Sequence, residues 1–109
     1  MMKWAMSAAA AGLLRGLLNR AGIERDRILL TTFRSTDWRS LTFEGERHMI
    51  GLRIPGPDAD RVATRLLDGL EEAEIPIPGH ALADIAVAKR RPNPDSSVTV
   101  ELEALTIAD

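Results

Sequence analysis

The spacing of apolar residues along the chain predicts two helices. Within residues 5–21, Leu and Ala side chains recur three and four positions apart and form one apolar stripe. Gly22 follows directly and can adopt the left-handed conformation that ends a helix. Residues 58–73 repeat the pattern behind a proline that suits a helix start. Gly12 and Gly16 permit close approach of another backbone to the first helix, and a sheet is the expected partner.

Four further segments alternate apolar and polar residues, which is typical of strands. They cover residues 27–34, 41–54, 80–89 and 98–107. In the second segment, Leu41 and Phe43 differ in parity from the apolar run that starts at Ile50. A bulge at Gly45 would re-phase the alternation, and a tight turn at Glu44 and Gly45 is the alternative.

The later strands have clearer faces. The third is expected to place Ala81, Ala83, Ile85 and Val87 on one face, and the fourth to point Val98, Val100, Leu102 and Ala104 inward.

The segments that join the strands are polar or rich in proline. Residues 35–37, Ser-Thr-Asp, predict a corner, because Ser and Asp side chains bond their own backbone in turns. Residues 75–79 contain two prolines and predict a stiff extended connection. Residues 89–96 predict a basic, proline-rich hairpin loop.

The predicted order is αββαββ, an α+β fold. Four strands in two hairpins make one antiparallel sheet with both helices on one face, which is a two-layer sandwich. Moving the last strand to the front gives the ferredoxin-like order, so the fold is a circularly permuted ferredoxin-like sandwich. A chain of 109 residues fits a single domain, with residues 1–4 expected to be loosely ordered. Leu29, Phe33 and Met49 are expected on the sheet face away from the helices, and a partly apolar outer face indicates association.

Composition excludes several classes of protein. The chain has no Cys, so it has no disulfide framework, thiolate metal site or Cys nucleophile. Its net charge is −2 at pH 7, without the global basic excess of many nucleic-acid-binding proteins. No apolar run reaches the about 18 residues of a membrane-spanning helix. Residues 1–11 have the basic start of a signal peptide, but the Leu pairs come later and are interrupted by Arg15. A helix and a cytoplasmic location are therefore favoured over a signal peptide.

The titratable residues offer little catalytic or metal chemistry. His80 and Asp84 are four residues apart and His48 is the other His, whereas zinc normally takes three or four protein ligands. Asp37 with either His could suggest acid–base catalysis, but the sequence lacks a nucleophile motif and a glycine-rich phosphate loop. We predict no metal, no cofactor and no enzyme activity.

The first hairpin carries the candidate interaction surface, because Trp and Arg are enriched at protein interfaces. The predicted contact residues are Phe33, Arg34, Asp37, Trp38, Arg39, Arg47 and Arg53. An alternative is nucleic-acid binding, in which Trp38 stacks on a base and Lys89, Arg90 and Arg91 contact the anionic nucleic acid. Acidic residues are interleaved with the arginines and weaken their field, which favours a protein partner or self-association.

One stretch resembles a known family. The run 36–47, Thr-Asp-Trp-Arg-Ser-Leu-Thr-Phe-Glu-Gly-Glu-Arg, followed by Ile-Gly-Leu-Arg-Ile at 50–54, is similar to tail-completion proteins of phages and gene-transfer-agent particles. In the gene-transfer-agent members an Asp-Trp pair precedes a strand with Gly-Arg-Glu, whereas here the charged pair is reversed as Glu46-Arg47. An amphipathic helix, a Pro-Gly segment and two closing strands then follow, so the similarity covers about residues 36–105.

The resemblance implies a ring-forming structural protein at the head–tail junction or the tail end, without catalysis. It further implies that the outer sheet face and the hairpin corners contact other subunits. Without the resemblance, the pattern indicates a cytoplasmic α+β binding module whose Arg-rich hairpins are candidates for nucleic-acid contact.

Overall fold

A computed structural model describes residues 6–109 and confirms the α+β sandwich of two helices and a four-stranded antiparallel sheet. The elements are α1 (Ala8–Ala21), β1 (Leu29–Arg39), β2 (Glu44–Ile54), α2 (Ala59–Leu67), β3 (His80–Pro92) and β4 (Val98–Ala108), with short 3-10 turns at Arg25–Arg27 and Leu70–Glu72. Within the described residues no helix is long and apolar enough to cross a membrane.

The strand order in the sheet is β1-β2-β4-β3, so the last strand of the chain lies in the middle. The two hairpins therefore meet through β2 and β4, which pair from Gly45 with Ile107 to Ile54 with Val98. In the ferredoxin-like order the first strand of the chain is a central strand of the sheet. In the permuted order of this protein that central strand is β4, the last in the chain.

The core lies between the helices and one face of the sheet. Alternate residues of β2 and β4, from Ile50 to Ile54 and from Val98 to Ala104, point into it and are less than 5% exposed. Leu13 and Leu17 of α1 and Leu66 of α2 cover them and are at most 1% exposed. The inward residues predicted for the fourth strand are confirmed.

Helix α1 ends at Ala21 as predicted, but it begins at Ala8, and residues 6 and 7 of the predicted helix precede it. Ser7 accepts a hydrogen bond from the Ala10 N–H at 3.2 Å, and Gly22 adopts a left-handed conformation with φ 65°. The predicted start at residue 5, the loose residues 1–4 and the first part of the signal-peptide alternative lie outside the described residues.

The neighbour of the glycines on α1 differs from the prediction. A Cβ on Gly12 would lie 3.0 Å from Ile77 Cγ2, and one on Gly16 would overlap Ile75 Cγ2. The extended segment 75–78, rather than the sheet, approaches this side of α1. The two prolines keep that segment extended. Its Ile75 and Ile77 side chains are buried against α1.

Helix α2 is shorter than predicted. It ends at Leu67 rather than residue 73, because Gly69 adopts a left-handed conformation with φ 65°. The chain then makes a 3-10 turn that still buries Leu70, so the predicted apolar stripe is preserved across the break.

The first hairpin corrects two predictions. Residues 35–37 are not a corner but lie within β1, which continues to Arg39. The turn covers residues 40–43, so Leu41 and Phe43 are outside β2 and their parity needs no bulge. Gly45 is in regular register between Trp38 and Ile107 and is neither a bulge nor a turn residue.

A bulge occurs in β1 instead, and it moves Phe33. The register shifts between Leu30 and Thr32, so Phe33 lies on the same face as Leu30 and packs against the core. The predicted outer position of Phe33 is therefore wrong, whereas Leu29 and Met49 are exposed at 52% and 43%.

The second hairpin also begins later than predicted. Lys89, Arg90 and Arg91 belong to β3, and the turn follows Pro92. Register shifts in β3 between Leu82 and Asp84, and between Val87 and Lys89, replace the predicted single face. These bulges place Leu82, Ile85 and Val87 toward the core, so Ala81 and Ala83 do not share a face with Ile85.

Candidate protein-contact surface

The sheet face opposite the helices, here called the outer face, is the candidate contact surface. Residues that lie opposite each other in the ladder share a face, so strand register defines its members. They are Leu29, Thr32, Arg34, Thr36 and Trp38 of β1, Arg47, Met49 and Arg53 of β2, Thr99, Glu101, Glu103, Leu105 and Ile107 of β4, and Ala81, Asp84, Ala86, Lys89 and Arg91 of β3.

An apolar group lies at the end of this face near the first turn. Trp38 is opposite Gly45, and Gly45 is opposite Ile107. Because Gly45 has no side chain, no side chain lies between the Trp38 and Ile107 positions across the three strands. Trp38, Leu105 and Ile107 are half-buried, and Met49 is exposed. An aromatic residue with aliphatic neighbours on an otherwise polar face is typical of a protein-contact site.

The outer face carries charges of both signs. Arg34 and Arg47 lie on the β1–β2 half, and Asp84 and Glu103 lie on the β3–β4 half. Among residues 6–109 none of these four forms an ion pair. These four residues lie toward the first turn, whereas Lys89 and Arg91 place cations on β3 toward the far end of the face. Charges of both signs are therefore available for a partner, which can guide association.

The structure brings only part of the predicted contact set together. Arg34, Trp38, Arg47 and Arg53 share the outer face. Phe33, Asp37 and Arg39 project from the other side of β1, where Arg39 lies 3.3 Å from Glu44. Arg53 is at the far end of the sheet and binds Asp95 and, at 3.1 Å, Ser97. Their role in binding stays a prediction.

Sequence reasoning missed the tip of the first hairpin. It assigned Leu41 and Phe43 to a strand, but they lie in the turn and are exposed at 108% and 51%. The Ser40 hydroxyl accepts hydrogen bonds from the backbone N–H groups of Thr42 and Phe43 at 3.3 and 3.0 Å. A Ser that begins a turn in this way was the available signal. Two exposed apolar side chains at a tip add a further candidate contact.

The basic residues of the second hairpin are largely engaged within the protein. Lys89 lies 3.6 Å from Glu101, and Arg90 donates to Asp60 at 2.7 Å and to Thr64 at 3.0 Å. These contacts reduce the positive field that an anion or nucleic acid would encounter. Arg91 is exposed on the outer face.

A buried polar network surrounds His48. Its Nδ1 lies 2.6 Å from the Ser35 hydroxyl and its Nε2 lies 2.9 Å from the Thr106 hydroxyl, while the ring is 0% exposed. A neutral imidazole has one donor and one acceptor, and two hydroxyls satisfy both. Both partners are hydroxyls rather than a carboxylate, and the ring is closed to solvent, so the arrangement is structural rather than that of a catalytic base.

Burial of His48 predicts a pH-dependent stability. Desolvation lowers the pKa of His48 below its ordinary value of 6.5, with Glu46 opposing and His80 assisting. The unfolded chain therefore binds the proton at a higher pH than the folded chain. The stability due to neutral His48 is fully present above about pH 6.5 and declines as pH falls toward the folded pKa. Urea denaturation from pH 8 to pH 5 is expected to show a falling midpoint.

A His80→Gln variant is the control for this prediction and should retain the decline. In the wild type the His80 ring is only partly buried, and its Nδ1 lies 2.9 Å from the carbonyl oxygen of Pro78. The ring protons of His48, followed by NMR, should titrate below pH 6.5. A titration midpoint at or above that value would contradict the prediction.

The paired residues considered for metal binding do not form a larger cluster. His80 lies opposite Ala108 and Asp84 opposite Leu105, with a register shift between them. Within residues 6–109 no group of three or more His, Asp or Glu side chains is placed to hold a metal ion.

An open groove of about 900 Å³ lies between α1 and the extended segment 75–78. Gly12, Gly16 and the Ile and Pro side chains form its apolar floor, and Arg15 and Glu74 lie at its margin. The lining residues include no Ser, Thr or Cys nucleophile. The groove therefore offers shape and charge but not a nucleophile–base pair.

Comparison with known proteins gives a structural likeness without a sequence relative. A scan against protein-family models found no match, and a search of curated protein sequences found none. A chain in the structure of the virion of a native gene transfer agent particle has a TM-score of 0.65 to this protein. The likeness covers 94% of this chain and 98% of that chain at 11% sequence identity. At this identity the likeness shows a shared fold over nearly the whole length of both chains.

Proposed function

We propose that this protein is a non-enzymatic structural or assembly protein of a phage-like particle, of the tail-completion type. It acts by self-association or by joining another protein, in the cytoplasm of the cell that makes the particle. The observation that carries the proposal is the fold likeness to a virion chain over 94% and 98% of the two chains. The residue pattern of positions 36–54 supports it independently, because it resembles tail-completion proteins of the same kind of particle.

The surface chemistry is consistent with an assembly role. The outer face combines Trp38 and exposed Met49 with Arg and acidic side chains. Large aromatic and Arg side chains carry much of the binding energy at protein interfaces. The hairpin tip adds Leu41, which is fully exposed. Solvent-exposed apolar side chains at these positions favour a protein partner.

Sedimentation of the purified protein tests the proposal. The wild type is expected to self-associate or to co-purify with a particle protein. A Trp38→Ala, Met49→Ser variant is expected to lose that association while the monomer stays folded by circular dichroism, because both side chains lie on the outer face. An Arg61→Ala, Glu71→Ala variant, changed at two exposed residues outside the outer face, is the control and should associate normally.

Two results would contradict the assembly role. One is a wild type that stays monomeric at high concentration and binds no other protein. The other is oligonucleotide binding that falls steeply with salt and is lost on replacing Arg90 and Arg91, which would favour nucleic-acid contact instead.

A further inference from the structure

The two edges of the sheet differ in how well they are protected. Bulged strands and prolines discourage the pairing of a sheet edge with another strand. The β3 edge has two register shifts and ends at Pro92. The β1 edge has one shift, near its start, between Leu30 and Thr32. Residues 32–39 of β1 therefore form a regular edge without a bulge or a proline, whose charged residues are Arg34, Asp37 and Arg39.

The backbone groups at this edge follow from the turn. Ser40 donates its N–H to the Phe43 carbonyl at 2.9 Å, so even-numbered residues near this end of β1 direct their backbone groups to β2. Odd-numbered residues direct theirs outward, where no strand lies among the described residues. The outward-directed residues are Phe33, Ser35, Asp37 and Arg39.

We infer that β1 pairs antiparallel with β1 of a second copy of this chain, with Thr36 on the two-fold axis. The two sheets then form one continuous sheet, and the outer faces of the two copies adjoin. The inference rests on the proposed function, since it identifies one partner as the protein itself. It adds the edge, the direction and the register of the contact.

Side-chain chemistry selects this register among those that keep the two outer faces continuous. A centre at Arg34 or at Asp37 would place like charges directly opposite, which is destabilising. A centre at Ser35 would place Phe33 opposite the anionic Asp37, whereas a centre at Thr36 places it opposite the cationic Arg39, which an aromatic face attracts. A centre at Phe33 would bring the bulge at residue 31 into the ladder. A centre at the last residues of β1 would pair too few residues.

The register centred on Thr36 brings complementary side chains together. Thr36 lies opposite Thr36, a favourable cross-strand pair. On the same face Arg34 lies opposite Trp38, where the guanidinium can stack on the indole. On the other face Asp37 lies opposite Ser35 and Phe33 opposite Arg39, and no like charges lie directly opposite each other. The two-fold axis repeats each of these pairs.

A single engineered cysteine tests the register, because the natural chain has none. Residues on the axis are a non-hydrogen-bonded pair with Cα atoms about 4.5 Å apart, which a disulfide can span. Thr36→Cys under mild oxidation is therefore expected to give mostly disulfide-linked dimer on a non-reducing gel. Thr32→Cys is the matched control on the same strand and face. Its two copies would be about 26 Å apart and should stay monomeric.

A second variant tests the same contact without a disulfide cross-link. Thr36→Lys places two cations opposite each other on the axis. The dissociation constant of the dimer should therefore be about tenfold or more higher than that of the wild type. Thr36 is exposed in the single copy, so the denaturation midpoint of the monomer should not change.

The outcomes separate this inference from the proposed function. If the wild type self-associates but Thr36→Cys forms no dimer, or Thr32→Cys forms as much, the edge pairing is wrong and the assembly role stands. A head-to-tail ring, or binding only to a different protein, would give that result. If the wild type neither self-associates nor binds another protein, both proposals fail.

Discussion

Replacing Leu66 with alanine is expected to lower the free energy of unfolding by about 2–5 kcal/mol. The Leu66 side chain is 0% exposed and belongs to the core cluster between α2 and the sheet. Alanine removes buried apolar surface and leaves a cavity that the surrounding helix and strands can fill only partly. Chemical denaturation, followed by circular dichroism, measures the loss as a lower midpoint.

Leu41→Ala is the matched control for this change. It removes the same atoms from a side chain that is 108% exposed at the hairpin tip. Its unfolding free energy should stay within about 0.5 kcal/mol of the wild type. An unchanged midpoint for Leu66→Ala would mean that α2 does not pack on the sheet as described.

Replacing Gly45 with alanine is expected to lower the free energy of unfolding by about 1–3 kcal/mol. A Cβ at this position would overlap the carbonyl oxygen of Thr106 and lie 3.0 Å from the carbonyl carbon of the same residue. These are backbone atoms of β4, a central strand paired on both sides, so they cannot move without disturbing two ladders. Urea denaturation of the variant measures the loss.

Gly51→Ala separates a backbone clash from a side-chain clash. A Cβ on Gly51 would overlap the hydroxyl of Thr32, which can rotate away toward solvent at the edge strand. We therefore expect a smaller loss for Gly51→Ala than for Gly45→Ala. Equal or reversed losses would show that β4 yields at Thr106 and that the close approach at Gly45 is not required.

The candidate contact surface was predictable only where strand parity was unbroken. Arg34, Trp38, Arg47 and Met49 lie on the outer face as alternation from a regular hairpin requires. Phe33 does not, because one extra residue in β1 reverses the face of every residue on one side of the bulge. The exposed Leu41 was missed because an apolar residue in a turn has the same local pattern as one at a strand end.

The sequence by itself determined the element types, their order and the core stripe of each helix. Those features depend on local spacing, capping and proline geometry, as Ser7, Gly22 and the prolines of residues 75–79 show. The tertiary structure alone decided the positions of the bulges, the approach of segment 75–78 to Gly12 and Gly16, and the placement of Gly45 against β4. It also decided that Lys89 and Arg90 bind residues of other elements. These depend on contacts between distant parts of the chain, where packing and hydrogen bonding across strands outweigh local preference.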